Sequence, residues 1–160
     1  MGQARPFDFG LHYEPAQGLR RFLTGTPAIL ALAAIEPGVD LLLEASMERV
    51  RAKSVRQTDY LISLWQSRLQ PLGFELRSPL DSEHRGSHVA LGHPEAMRIA
   101  EALKREMKVL PDFRQPDNLR LSVAPLYTSY MQLFDAVERI AAVVEQGVYE
   151  KYSKEPPAVT

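Results

Sequence analysis

The feature that most constrains this chain is the punctuation Glu36-Pro37-Gly38, followed by a run to Pro71 that holds no glycine or proline. Pro37 disfavours helical geometry at Glu36. A first helix, opened by Thr26-Pro27, is therefore expected to end there, and a second to run on to about Leu69. The second helix's apolar stripe is Leu43, Met47, Val50, Ser54, Leu61, Leu64 and Trp65, weakened by polar residues in its middle. So long a helix protrudes from a small lobe unless it bridges two bodies.

What surrounds that helix differs on its two sides. Residues 1–26 read as irregular, punctuated by Pro6, Gly10, Pro15, Gly18 and Gly25, yet Phe7, Phe9, Tyr13, Phe22 and Leu23 call for burial. Such a segment lies against something larger, and together with the 27–35 helix it carries more apolar surface than a small lobe can cover. After the helix, Phe74-Glu75-Leu76-Arg77 and Ser87-His88-Val89-Ala90-Leu91 read as strands. Pro94 opens a helix with Ala96, Ile99, Ala100, Leu103 and Met107 on one face. Leu119-Arg120-Leu121-Ser122-Val123 is the clearest strand, with three apolar residues on one side and Arg120 and Ser122 on the other. A last helix carries Leu133, Phe134, Val137, Ile140, Ala141 and Val144. The order predicts an α+β fold: a long connecting helix, then a small, mostly antiparallel sheet with helices packed on one face. Residues 151–160 are expected to form a frayed tail.

Composition excludes several functions. With 160 residues, 45% of them apolar, the chain can bury a core of ordinary size. Its 19 basic and 20 acidic residues give a net charge of −1, which argues against nucleic acid and anionic membranes as partners. Cysteine is absent, so disulfides and thiolate chemistry are excluded. The longest apolar stretch, residues 27–35, is about half of what a bilayer requires. No signal core follows Met1, and the composition suits the cytoplasm.

Few residues can carry chemistry. Thr26 before Pro27 caps a helix start; such an end also offers free N–H groups and a hydroxyl to a phosphate. Arg120 stands mid-strand on the polar side. It is either a solvated strand arginine or a planar grip on a carboxylate. His84, His88 and His93 do not share a helical face and form no zinc motif. The run Asp112-Phe113-Arg114-Gln115-Pro116-Asp117-Asn118 is rich in turn formers and reads as a loop.

Read in order, several stretches resemble the C-terminal part of the kynureninases, pyridoxal-phosphate enzymes of fold type I in the class V aminotransferase superfamily. They are Gly2-Gln3-Ala4-Arg5-Pro6-Phe7, Arg21 through Leu30, Gly38-Val39-Asp40-Leu41, Arg85-Gly86-Ser87-His88-Val89, His93-Pro94-Glu95-Ala96, Asp112 through Asp117, and Leu119-Arg120 with Ala124-Pro125-Leu126-Tyr127-Thr128-Ser129. The resemblance covers Gly2 to about Val144. It departs from the family at Gln3, where histidine is usual, and at Ala28, where a second proline is usual.

The resemblance implies hydrolysis of L-kynurenine, or its 3-hydroxy form, to anthranilate, or 3-hydroxyanthranilate, and L-alanine in tryptophan catabolism. It implies a homodimer with interfacial active sites. It implies that Thr26 binds the pyridoxal 5'-phosphate phosphate and that Arg120 binds the substrate's α-carboxylate. Residues 1–36 then correspond to a remnant of the large cofactor domain, 37–70 to the connecting helix and 71–150 to the small domain. The family's cofactor lysine lies upstream of these stretches. Lys53, Lys104, Lys108, Lys151 and Lys154 lack the desolvated strand-end setting such a lysine needs, so no catalytic residue is expected in this chain. A truncated product, one half of a split enzyme and an expressed fragment all fit. Two further readings are a non-catalytic oligomerisation or binding module and another class V enzyme.

Overall fold

The computed structural model describes residues 2–8 and 10–155. The chain falls into two compact units, Met1–Glu44 and Ala45–Thr160.

In the first unit, residues 2–4 run beside 14–16. The Ala4 N–H donates to Glu14 O at 2.7 Å, the Ala16 N–H to Gly2 O at 2.8 Å, and the Tyr13 hydroxyl to the same Gly2 carbonyl at 2.8 Å. Gly2 has φ 74°, and a Cβ there would stand 2.5 Å from the Arg21 carbonyl oxygen, so only glycine fits. Helix α1 spans Ile29–Ala33 and α2 spans Glu36–Ala45. The expected break at Glu36-Pro37-Gly38 is displaced. The chain turns at Ala34-Ile35, and Pro37 sits in the first turn of α2, where its missing N–H removes no helical bond. Phe7, Leu11, Leu19, Phe22, Ile29 and Leu30 face solvent. Phe9 lies outside the described residues.

The expected continuous helix to Leu69 is interrupted. Helix α3 starts only at Met47 and ends at Leu64. Ser46 separates it from α2 with φ 61°, a backbone no helix continues through, and its hydroxyl accepts from the Arg49 N–H. A π-type turn, Trp65–Leu69, and a 3-10 turn, Gln70–Leu72, extend the path.

Four antiparallel strands follow: β1 (Glu75–Leu76), β2 (His88–Gly92), β3 (Asp112–Arg114) and β4 (Asn118–Ser122), in the order β1-β2-β4-β3. Helices α4 (Ala96–Ala102) and α5 (Tyr130–Glu145) join α3 in packing on the second unit's core. Val89, Leu91, Leu119 and Leu121 point into that core with Phe74, Ile99, Leu103, Val137 and Ile140. This is the predicted α+β domain. β3 corrects the reading of 112–118 as loop. Phe113 pairs with Leu119 and packs against the core, so long-range pairing overrides local turn preference.

The expected stripe holds at Ser54, Leu61 and Leu64 and fails at Leu43 and Met47. Leu43 and Met47 are exposed, while Ser54, Gln57 and Thr58 are buried with Leu61 and Leu64. Gln57 Nε2 donates to Thr128 O at 2.7 Å, and the Ser54 and Ser87 hydroxyls meet at 2.8 Å. The polar middle therefore docks on the loops before β2 and α5 through hydrogen bonds. Buried Arg85 supports the first of these loops, donating to Pro79 O at 2.9 Å and Leu80 O at 2.8 Å and pairing with Asp59.

Helix α5 opens on a capping box. The Gln132 N–H donates to Ser129 Oγ at 3.2 Å, and the Ser129 N–H to Gln132 Oε1 at 2.8 Å. Ser129→Ala is expected to cost about 1 kcal/mol, read as a lower urea midpoint at unchanged slope. A loss under a few tenths would mean the helix end is held by packing alone.

The tail is attached further than expected. Val148–Lys151 forms a 3-10 turn, Arg98 donates to Tyr152 O at 2.8 Å, and Lys154 lies 3.4 Å from Glu95. Side chain–backbone bonds and ion pairs hold this stretch against α4. The remainder of the expected tail, 156–160, lies outside the described residues.

Candidate functional site

Arg120 occupies the middle of β4, directly opposite Ala90 of β2 and Asp112 of β3. Alternation turns Leu119 and Leu121 into the core and Arg120 to the opposite face. On that face one row crosses the sheet: Arg77, whose N–H donates to Ala90 O at 2.9 Å, then Ala90, Arg120 and Asp112. The next row is Glu75, Gly92, Asn118 and Arg114. The residues at the centre, Ala90 and Gly92, are small. Arg77 lies across Gly92, where a Cβ would come within 2.5 Å of its Nε.

Charge is distributed unevenly over the two ends of this face. Arg77 is met by two carboxylates, Glu75 at 3.0 Å and Asp117 at 3.2 Å. Asp112, in contrast, is shared by two guanidiniums, Arg114 at 3.1 Å and Arg120. Burial pushes the Asp112 carboxyl up, but hydrogen bonds and charge from Arg114 and Arg120 outweigh it and hold it below the ordinary carboxylate range. Arg120 Nε is buried without an acceptor, while the side chain as a whole is 35% exposed. The Asp112 end thus carries one more positive than negative charge and unsatisfied donors, which suits an anionic ligand.

Thr26 belongs to the first unit and is exposed. It does not cap a helix as expected. Helix α1 begins two residues later than Pro27, with Ala28 at its N-cap and no side-chain cap bond. Thr26 precedes a proline and is thereby held out of helical geometry, which leaves its hydroxyl clear of capping.

The lysines are committed elsewhere or exposed. Lys53 on α3 donates to Pro125 O, Lys151 pairs with Glu106 at 2.7 Å and Lys154 with Glu95, and Lys104 and Lys108 are exposed. Among the described residues no three histidine, aspartate or glutamate side chains converge as metal ligands, and no helix is long and apolar enough to cross a membrane. His84 pairs with Asp81 at 2.8 Å.

His93 is buried with its ring 4.6 Å from that of Phe74. Burial pushes its pKa below the ordinary histidine value, against a hydrogen bond with the Leu72 backbone and the charge of Glu95. The unfolded chain therefore takes up the proton first. The stabilisation is complete above the unfolded pKa of about 6.5 and is lost as pH falls from there towards the depressed folded value. Wild type is expected to lose more stability than His93→Gln between neutral pH and pH about 5. Parallel pH curves for the two would refute it.

The helix-backed antiparallel sheet defines a small α+β domain whose opposite face carries two arginines around one carboxylate. Comparison with known proteins carries this further. Residues 50–140 match the family Kynureninase C-terminal domain. Similar proteins include the kynureninases of Geobacillus thermodenitrificans (36% identical, 97% of this chain and 36% of that protein), Deinococcus radiodurans (38%, 91% and 35%) and Pseudomonas fluorescens (34%, 92% and 35%). The chain belongs to the kynureninase family, and it spans about a third of the length of these relatives.

Proposed function

We propose that this chain is the C-terminal portion of a kynureninase, a cytoplasmic, homodimeric, pyridoxal-phosphate-dependent hydrolase. The complete enzyme cleaves the Cβ–Cγ bond of L-kynurenine, or its 3-hydroxy form, to anthranilate, or 3-hydroxyanthranilate, and L-alanine in tryptophan catabolism. The observation that carries the reading is Arg120, half-buried on the sheet face and sharing its one carboxylate partner with Arg114, in a chain similar to kynureninases over nearly its whole span. On this reading residues 1–36 belong to the large cofactor domain, 37–70 to the connection and 71–150 to the small domain.

The residues present fit part of the cofactor and part of the substrate. Thr26, exposed and free of capping, would donate its hydroxyl to a phosphate oxygen. Arg120 would receive the substrate α-carboxylate and orient the amino acid in one plane. When bound, pyridoxal phosphate supplies the electron sink that such carbon–carbon cleavage requires. The lysine and the carboxylate that serve its ring would come from the remaining two thirds of the family's length. The committed or exposed state of all five lysines here supports that division.

The test is reconstitution. The chain is joined to the N-terminal two thirds of the Geobacillus thermodenitrificans kynureninase, and anthranilate release from L-kynurenine is followed. Cofactor-dependent release is expected, and none from the isolated chain with added pyridoxal phosphate. A folded, cofactor-loaded assembly that releases no anthranilate would overturn the reading. Turnover by the isolated chain would overturn the division of labour.

A further inference from the structure

We propose that Asp112 is a positioning residue for Arg120: held in the facing strand, its carboxylate fixes the guanidinium so that the remaining N–H groups meet the carboxylate of an α-amino acid on the open sheet face. The proposal rests on the carboxylate-binding reading of Arg120 and adds the residue that presets it.

Three observations converge. The register makes Asp112 and Arg120 direct cross-strand partners, so the contact is imposed by the backbone pairing of β3 and β4. The Asp112 oxygen that meets Arg120 also accepts from Arg114 Nε at 3.1 Å, which anchors the carboxylate from its own strand. Among the described residues Asp112 is the one acceptor bonded to the Arg120 guanidinium, whose Nε is buried without a partner. A guanidinium has five N–H donors. One carboxylate oxygen shared between two arginines restrains Arg120 without satisfying it. At the other end of the face Arg77 has two carboxylates beside it, Glu75 and Asp117, where Arg120 has one. Opposite Arg120 on β2 the neighbour is Ala90, which offers no side-chain acceptor.

The experiment uses the 160-residue chain, with L-kynurenine as probe and its carboxamide, which lacks the carboxylate, as control. Binding is read from the Arg120 side-chain Nε–H resonance, assigned by its loss in Arg120→Lys. Wild type is expected to show a saturable shift with kynurenine and none with the carboxamide. Asp112→Asn, of the same shape but uncharged, is expected to bind about tenfold or more weakly, as misplacement of a binding group does. Asp112→Glu should recover part of the loss, which a merely structural role would not predict. Equal affinity in wild type and Asp112→Asn overturns the proposal and leaves the Arg120 reading standing. No shift with kynurenine in wild type overturns both. Should Asp112→Asn fail to fold, Asp112→Ala takes its place, and wild-type affinity in that variant overturns the proposal.

Discussion

Arg120→Ala, in the reconstituted enzyme, is expected to weaken substrate binding by about 2–5 kcal/mol where the substrate carboxylate is left buried and unpaired. Arg120→Lys should fall between it and wild type. An ammonium keeps the charge but cannot offer two coplanar donors. Cofactor affinity should survive both changes, because Arg120 is assigned to the substrate. Thr26→Ala should do the reverse, loosening the cofactor and sparing the carboxylate contact. A solvated strand arginine would cost under about 1 kcal/mol. Steady-state kinetics with a cofactor titration on each variant separates these outcomes. Unchanged kcat/KM in Arg120→Ala would remove the carboxylate assignment.

The second large effect is on stability. Phe74→Ala should cost about 3–5 kcal/mol, the range for deleting a buried aromatic side chain. Phe74 is 2% exposed, lies in the core of the second unit and contacts the His93 ring. Its backbone is anchored separately, since Trp65 Nε1 donates to Phe74 O at 3.0 Å. The loop cannot simply collapse into the space left behind. Against a typical domain stability of about 5–15 kcal/mol, this is a large fraction. Urea unfolding measures it, and a loss below about 1 kcal/mol would show that the core repacks.

Arg120 was legible because its strand alternates cleanly: one charged residue between two leucines announces its own exposure. Its partner was not. Asp112 sits in a stretch rich in turn formers, and nothing in its immediate neighbours reveals that Phe113 pairs with Leu119. The role of Thr26 was inferred from family likeness, and its expected capping did not hold. Proline at 27 holds Thr26 out of the helix and α1 begins later.

Sequence alone determined the α+β class, three of the four strands, the apolar face of α4, most of that of α5 (Phe134 is exposed and Val143 buried in its place) and the family. These follow from period-two and period-3.6 patterns and from ordered motifs, all written in residues close along the chain. Tertiary structure alone decided that Gln57 and Thr58 of α3 are buried beside Ser54, Leu61 and Leu64 of the expected stripe. Whether a polar residue can be buried depends on which carbonyl meets it, and Thr128 O, the partner of Gln57, lies 71 residues away. Tertiary structure also decided the pairing of Asp112 with Arg120, because register is a property of two strands and neither one carries it by itself.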